Sequence, residues 1–442
     1  MRIALLSNPS SGRGRHSAAD DVARQILSEA GHEVLHVRGS SYDQARRAGR
    51  ALLGDGPDSN VEALVVVGGD GMVHLGVDIV ATTGVPLGIV ATGTGNDIAR
   101  HFGLPSRDVS ASARLINRAL AGDGRALTSV FLGGGTPTMA ADDELAGLLE
   151  HLRRSFALVP GAEITIEANP ETLDERRLAN LRAAGFNRLS LGMQSGDERV
   201  LATLERRHRP GRAVQAARWA HREGFDNVSL DLIYGAPGET LDQWRVSLET
   251  ALGAEPEHVS AYSLIVEPGT AMARRIARGE LPEPDEDLEA DEYLLAEELL
   301  GRAGLANYEI SNWARPGREA VHNLAYWRGG DWWGIGPGAH SHLGSARWWN
   351  VKHPRRYATM LAAGASPRAG HEILDARTRH EETVMLRLRL REGLDVAELS
   401  GPERSPLPGL VERGLVTTAG GEVRLTPAGR LLGDAVTLEI LG

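Results

Sequence analysis

Apolar positions cluster in short runs, and the most regular of them stop at glycine. Runs at 2–7, 63–67 and 86–90 end in NPSSG (8–12), GGDG (68–71) and TGTGND (92–97), with helical spacing at 18–30 and 42–53 and a short helix from 97. Three strands that each feed a glycine-rich loop predict an open parallel α/β sheet with the loops on one rim. A longer series starts at VFLGGGTPT (130–138), a buried strand opening into a loop that a ligand's polar end can approach closely. Strands at 163–168, 188–191, 227–232 and 258–265 then alternate with helices at 142–156, 174–184 and 212–223, and polar or small residues sit at the strand ends. This rhythm predicts part of a parallel β/α barrel whose site forms at the C-terminal rim. A proline- and acid-rich segment, 281–287, leads into a helix at 288–302. Beyond 370, helices at 379–391, 407–414 and 427–441 and the hairpin LVTTAGGEVRL predict a small winged-helix-like domain. The expected organisation is α/β throughout, with domains at 1–125, 126–370 and 371–442.

Charge separates the first of these from the others. Residues 1–125 hold 13 Arg against 13 acidic side chains, leaving 35 basic against 46 acidic for the remainder and the whole net charge of -11. Such a surface argues against sequence-independent nucleic-acid binding, which needs Lys and Arg on phosphates. No apolar run is long enough to span a bilayer and no charged-then-apolar leader opens the chain, so the expectation is a soluble cytoplasmic protein. With no cysteine there is no disulfide, no thiolate nucleophile, no Cys-rich zinc site and no cysteine-held iron–sulfur cluster, and no metal ligand set is assigned. Lys352 is the only lysine, so any phosphate site in the N-terminal sheet works without a Walker lysine.

Three glycine-rich loops on one rim suit a nucleotide. Backbone N–H groups wrap phosphate, helix N-termini add dipole, and Asp70 or Asp97 could face magnesium or ribose. On the second rim, Gly133, Gly134 and Gly135 allow close approach, Glu167 and Asp231 can accept from an ammonium or ribose hydroxyls, Gln194 can do both, and Arg206 could meet a carboxylate. A helix-capping Glu167 or a solvated Arg206 explains either residue alone; together at successive strand ends they favour a small zwitterion carrying a sugar. Six of the eight tryptophans, Trp313, Trp327, Trp332, Trp333, Trp348 and Trp349, lie within 37 residues alongside His322, His340 and His342. They read either as an aromatic core patch with satisfied histidines or as a surface for a flat macrocycle.

The motifs NPSSG, GGDG and GTGND, in that order and spacing, resemble the nucleotide-binding half of the diacylglycerol kinase and related lipid kinase family over about residues 1–120. The resemblance implies ATP and magnesium against Asn8, Pro9, Ser10, Ser11, Gly12, Gly68, Gly69, Asp70, Gly71 and Thr94. Met72 stands where many members have Thr. That family's second, mainly β domain, which supplies the catalytic base, does not follow.

From about 129 onward, GGGTPT, IEANP, LGMQS and LDLIYGAPGET resemble the radical S-adenosylmethionine enzymes of the oxygen-independent coproporphyrinogen III oxidase group. HNLAYW (322–327) and GIGPGAHSHLG (334–344) are most similar to its haem chaperone branch, HemW. The resemblance implies S-adenosylmethionine against Gly134, Gly135, Thr136, Glu167, Gln194, Arg206 and Asp231, and haem near His322, Asn323, Tyr326 and Trp327. It also implies haem-receiving proteins as partners, with no nucleic acid. The group's first strand and its C-x-x-x-C-x-x-C loop are missing, and Ala320 replaces a common Cys, so the iron–sulfur cluster expected of the group has no ligands here. The reading is a fusion of a kinase-like ATP-binding half with a HemW-like protein, joined near 121–128, with binding as the surviving function and no catalytic residue assigned. The competing reading is a lipid kinase phosphorylating a peripheral lipid hydroxyl. The lost strand leaves an open sheet edge that invites aggregation.

Overall fold

The computed structural model describes residues 1–7, 17–39, 41–53, 61–81, 83, 85–93, 95–101, 104–120, 126–206 and 209–442. Asn8, Pro9, Ser10, Ser11, Gly12 and Thr94, and the stretch 121–125 where the two halves join, lie outside the described residues. The chain forms two compact units, one of Met1–Ala126 and Trp332–Asp375, the other of Leu127–Asp331 and Ala376–Gly442.

In the first unit, β1 (Arg2–Ser7), β2 (Glu33–Arg38), β3 (Ala63–Gly68) and β4 (Leu87–Ala91) make a wholly parallel sheet in the order β2-β1-β3-β4. The unbroken apolar runs of β1 and β3 follow from cover on both faces. Alternate side chains supply two cores. Ile3, Leu5, Val65 and Val67 pack with Ala23, Leu27, Ala113 and Ile116, while Ala4, Leu6, Leu64 and Val66 pack with Ala45, Met72, Val73, Leu75 and Ile79. This is the open α/β sheet the sequence predicts.

In the second unit, β5 (Leu127–Leu132), β6 (Leu158–Ala168), β7 (Arg188–Gln194), β8 (Val228–Tyr234) and β9 (His258–Ser263) pair in sequential order, all parallel. The short strands β10 (Ala306–Glu309) and β11 (Asn312–Ala314) extend the sheet antiparallel beyond β9. The result is a curled half-barrel with β5 at one end. Ile164, Ile166, Leu189, Leu191, Leu230, Leu232 and Val259 belong to the core shared with the surrounding helices. The alternating residues Glu163, Thr165, Glu167, Arg188, Ser190, Ser229, Asp231, His258 and Ser260 give the other face a polar lining. Helix Glu175–Ala184 shows how the crossovers are bounded: Asp174 accepts from Arg177 N at 2.7 Å at its start, and Gly185 closes it at φ +106°.

Residues 340–373 contribute a separate antiparallel sheet, β12 (His340–Leu343), β13 (Ala346–Asn350) and β14 (Arg368–Ile373). The C-terminal domain folds on its own core of Val384, Leu388, Leu394, Leu410, Val416, Val423, Val436 and Ile440, with β15 (Leu394–Asp395), β16 (Val416–Thr417) and β17 (Glu422–Leu425). The single helix expected over 427–441 is two, Pro427–Leu431 and Gly433–Leu441, and the helix expected over 379–391 is Ala376–Arg387. Among the described residues no helix is long and apolar enough to cross a membrane.

Candidate functional site

The polar face of the half-barrel opens at the C-terminal ends of its strands into a cavity of about 320 Å³. Gly135, Thr136, Glu167, Gln194, Arg206 and Asp231 all line it, and Gly134 lies beside it. They come from four consecutive strands and the segments after them: Gly134, Gly135 and Thr136 after β5, Glu167 from β6, Gln194 from β7 with Arg206 further on, and Asp231 from β8. Gly134 and Gly135 follow β5 at φ +81° and +113°, a region that bars most side chains, and the Gly134 N–H donates to Glu167 Oε2 at 3.1 Å. A Cβ on Gly133 would sit 2.5 Å from Phe131 Cε1 and 2.9 Å from Glu167 Cδ, so the glycine lets β5 and the Glu167 carboxylate come together. Gln194 ends β7 at φ +67°, left-handed backbone for a residue with a side chain. Arg206 is exposed at the mouth.

Burial raises the pKa of Glu167, an effect the Gly134 N–H opposes and the Asp231 charge reinforces. Burial also raises the pKa of Asp231, against the Ser190 and Ser260 hydroxyls, the positive charge of Arg188 and the Ser229 hydroxyl. Ser190 Oγ donates to Asp231 Oδ2 at 2.7 Å. Arg188 is 3 % exposed with an unpartnered Nε, a cation built into the interior below the cavity. Sequence reasoning missed Ser190, Tyr262 and Ile265 among the lining residues. Period-2 alternation from Gln194 and from His258 would have found the first two. Among the described residues no group of three or more His, Asp or Glu is placed to hold a metal, and without cysteine the donor set does not fit an iron–sulfur cluster.

His322, Asn323, Tyr326 and Trp327 share one helix, Val321–Trp327. Its N-terminus is held by Glu163 of β6, which accepts from Val321 N at 2.9 Å and His322 N at 3.1 Å. The His322 ring stacks on Phe131 of β5, with Nδ1 2.9 Å from Ser129 Oγ and Nε2 3.1 Å from Tyr326 Oη. Burial, aided by Arg188, lowers its pKa to about 4. The imidazole is therefore neutral at pH 7, but both nitrogens already meet hydroxyls, and it is not presented as an axial ligand. Trp313 is fully buried and donates to Glu297 Oε2 at 2.8 Å, so it is a core residue. Trp333 is 61 % exposed and meets Trp348 edge-on, and Trp349 stacks on His340.

In the N-terminal sheet, Gly68, Gly69, Asp70 and Gly71 close β3. A Cβ on Gly93 would lie 2.5 Å from Gly69 Cα, so two glycine-rich loops touch through their backbones. Asp70 accepts from Asp97 N and Ile98 N, both at 3.1 Å, and these bonds lower its pKa. In this arrangement the carboxylate caps the helix Asp97–His101.

The larger part of the chain is a half-barrel of consecutive parallel strands with a polar rim cleft and an appended small domain, and its family matches give its class, the radical S-adenosylmethionine proteins. Residues 99–251 match the model of the radical SAM superfamily and residues 374–432 that of the HemN C-terminal domain. The solved coproporphyrinogen III oxidase HemN of Escherichia coli shares the fold, with a TM-score of 0.63 at 24% identity over 74% of this chain and 80% of that one. The haem chaperone HemW of Mycobacterium tuberculosis is 51% identical over 320 residues, covering 72% of this chain and 82% of its own. HemW of Bacillus subtilis is 37% identical over 328 residues, 72% and 86% of the two chains. The chain belongs to the haem chaperone HemW family. Residues 2–124 match the diacylglycerol kinase catalytic domain model, which overlaps the radical SAM match over 99–124.

Proposed function

We propose that this is a cytoplasmic HemW-family protein that holds S-adenosylmethionine in the rim cleft without cleaving it reductively. The carrying observation is the convergence on one cavity of six residues from four consecutive strands and the loops after them, in a chain with no cysteine. Gly134, Gly135 and Thr136 would lie along the methionyl end, Glu167 would accept from the ammonium, Arg206 would meet the carboxylate, and Gln194 and Asp231 would take the ribose hydroxyls. The sulfonium of the bound cofactor supplies radical chemistry only when a cluster reduces it, and the thiolates that would anchor one are absent. What these residues do is bind, orient and desolvate.

Calorimetric titration tests the reading. One equivalent of S-adenosylmethionine should bind, Glu167→Gln and Asp231→Asn should each weaken it about tenfold, the loss expected from a charge-assisted hydrogen bond of roughly 1.5 kcal/mol, and dithionite should release no 5′-deoxyadenosine. Absence of binding, or variants that bind like the wild type, would overturn it.

Haem binding at helix Val321–Trp327 is a second reading. It is supported by the folding of HNLAYW as one discrete helix and by the family's named haem chaperones. Because His322 is packed away, contact falls to Asn323, Tyr326 and Trp327, with haem-receiving proteins as the partners. Haemin should shift its Soret band on the wild type and bind at least fivefold more weakly to Trp327→Ala; no shift on the wild type ends this reading.

A further inference from the structure

A second cavity of about 440 Å³ lies where helix Glu286–Arg302 and strands β10 and β11 meet the segment Leu388–Arg391, strands β16 and β17 and helix Pro427–Leu431. It shares no lining residue with the rim cleft, and its size falls in the range of small-molecule sites. Its charge is one-sided. Arg389, Arg391, Arg424 and Arg430 line it against one carboxylate, Glu297.

Two of these arginines are fixed wall. Arg430, whose side chain is 10% exposed, is gripped by both Glu297 oxygens at 3.2 and 2.7 Å, and Glu297 also takes the Trp313 indole N–H. Arg424 donates to Glu392 O, Ala419 O and Glu422. The other two are paired outward, Arg391 with Glu319 at 3.1 Å and Arg389 with Asp434, and neither partner belongs to the lining. Each pair joins an exposed member to a largely buried one, Arg391 at 52% with Glu319 at 17% and Asp434 at 85% with Arg389 at 23%, and the Arg389 guanidinium also lies over the Trp327 ring, 5.8 Å from its centroid. Both guanidiniums keep further N–H donors for a ligand's carboxylate, which they meet in a strong two-point geometry. The same lining carries apolar surface from Ala306 and Leu425, and helix Glu286–Arg302 exposes Gly301, where an added Cβ would meet nothing within 4 Å.

We propose that this cavity is a binding site for an amphipathic carboxylate, its charged end between Arg389 and Arg391 and its apolar body against Ala306 and Leu425. The site shares no lining residue with the S-adenosylmethionine cleft, and it borders the helix of the haem reading through Arg389 on the Trp327 ring.

The test uses the full chain with 8-anilinonaphthalene-1-sulfonate as fluorescent probe, decanoate as competitor and decanol as its uncharged counterpart. The wild type should bind the probe saturably and release it to decanoate at concentrations at least tenfold below those needed with decanol. Gly301→Phe, whose Cβ would meet nothing within 4 Å, puts a ring on the cavity lining and should abolish the decanoate-sensitive signal while the melting temperature changes little. The double variant Arg389→Gln/Arg391→Gln should lose at least tenfold in decanoate affinity. Equal displacement by decanol, a Gly301→Phe protein that responds like the wild type, or no saturable probe signal would each overturn the proposal.

Discussion

Glu163→Ala should release helix Val321–Trp327 from the half-barrel. The carboxylate is 7% exposed and satisfies two of the helix's N-terminal N–H groups, at 2.9 and 3.1 Å. Leaving a buried donor unpaired costs about 1–3 kcal/mol, and a carboxylate at a helix N-terminus contributes up to about 2 kcal/mol through the dipole. Partial re-solvation makes these costs less than additive, and about 3 kcal/mol is a fair sum. A seven-residue helix has no independent stability, so the loss appears as local opening. At roughly 1.4 kcal/mol per tenfold, amide hydrogen exchange across 321–327 should accelerate about a hundredfold while the core strands β7 and β8 keep their protection. Glu163→Gln, which retains one good acceptor, should fall between. As control, Ser129→Ala removes only a hydroxyl from His322 Nδ1 and should change exchange less than tenfold. If Glu163→Ala is folded and 321–327 exchanges as in the wild type, Glu163 does not dock this helix.

Three further outcomes follow from the same geometry. His322 has its pKa depressed to about 4, so the stability it contributes is complete above its unfolded value near 6.5 and is lost as pH falls toward 4; with up to about 3 kcal/mol at stake, His322→Gln should flatten the acid limb of the urea midpoint against pH. Burial pushes Glu239 up to about 8 and Glu292 up to about 7, each worsened by a neighbouring carboxylate. Both acids favour the folded state when protonated, so stability falls as pH rises above the ordinary value of 4.5 and the loss is complete above about 7 for Glu292 and about 8 for Glu239; Glu239→Gln should raise the melting temperature at pH 9 and change it little at pH 5. Gly133→Ala drives a methyl into Phe131 and the Glu167 carboxylate, and should cost at least tenfold in S-adenosylmethionine affinity measured by titration.

The parallel strands were legible where an apolar run is continuous and its end is marked by glycine, as at β3. The C-terminal break was not, since only Leu432 separates the two helices inside an otherwise apolar, helix-forming stretch. Strand β2, EVLHVR, mixes polar and apolar positions because it lies at the edge of its sheet, and so it gives no strong run. The rim residues could be listed because each follows a strand, whereas Glu163 could not: a carboxylate near the start of a strand acquires its role from a helix 158 residues further on. The packing of His322 was hidden for the same reason, its partners Ser129 and Phe131 being distant in sequence. The interior cation Arg188 stands at the first position of its strand, where a charge ordinarily marks solvent.

Gln194 has one more consequence. Its left-handed backbone, φ +67°, is disfavoured for any residue with a Cβ by about 1 kcal/mol, close to the chain entropy that a glycine would add to the unfolded state. Replacement by glycine should therefore leave the melting temperature nearly where it is, and folding by itself offers no reason to prefer an amide there. What keeps a glutamine in that posture is whatever its carboxamide touches.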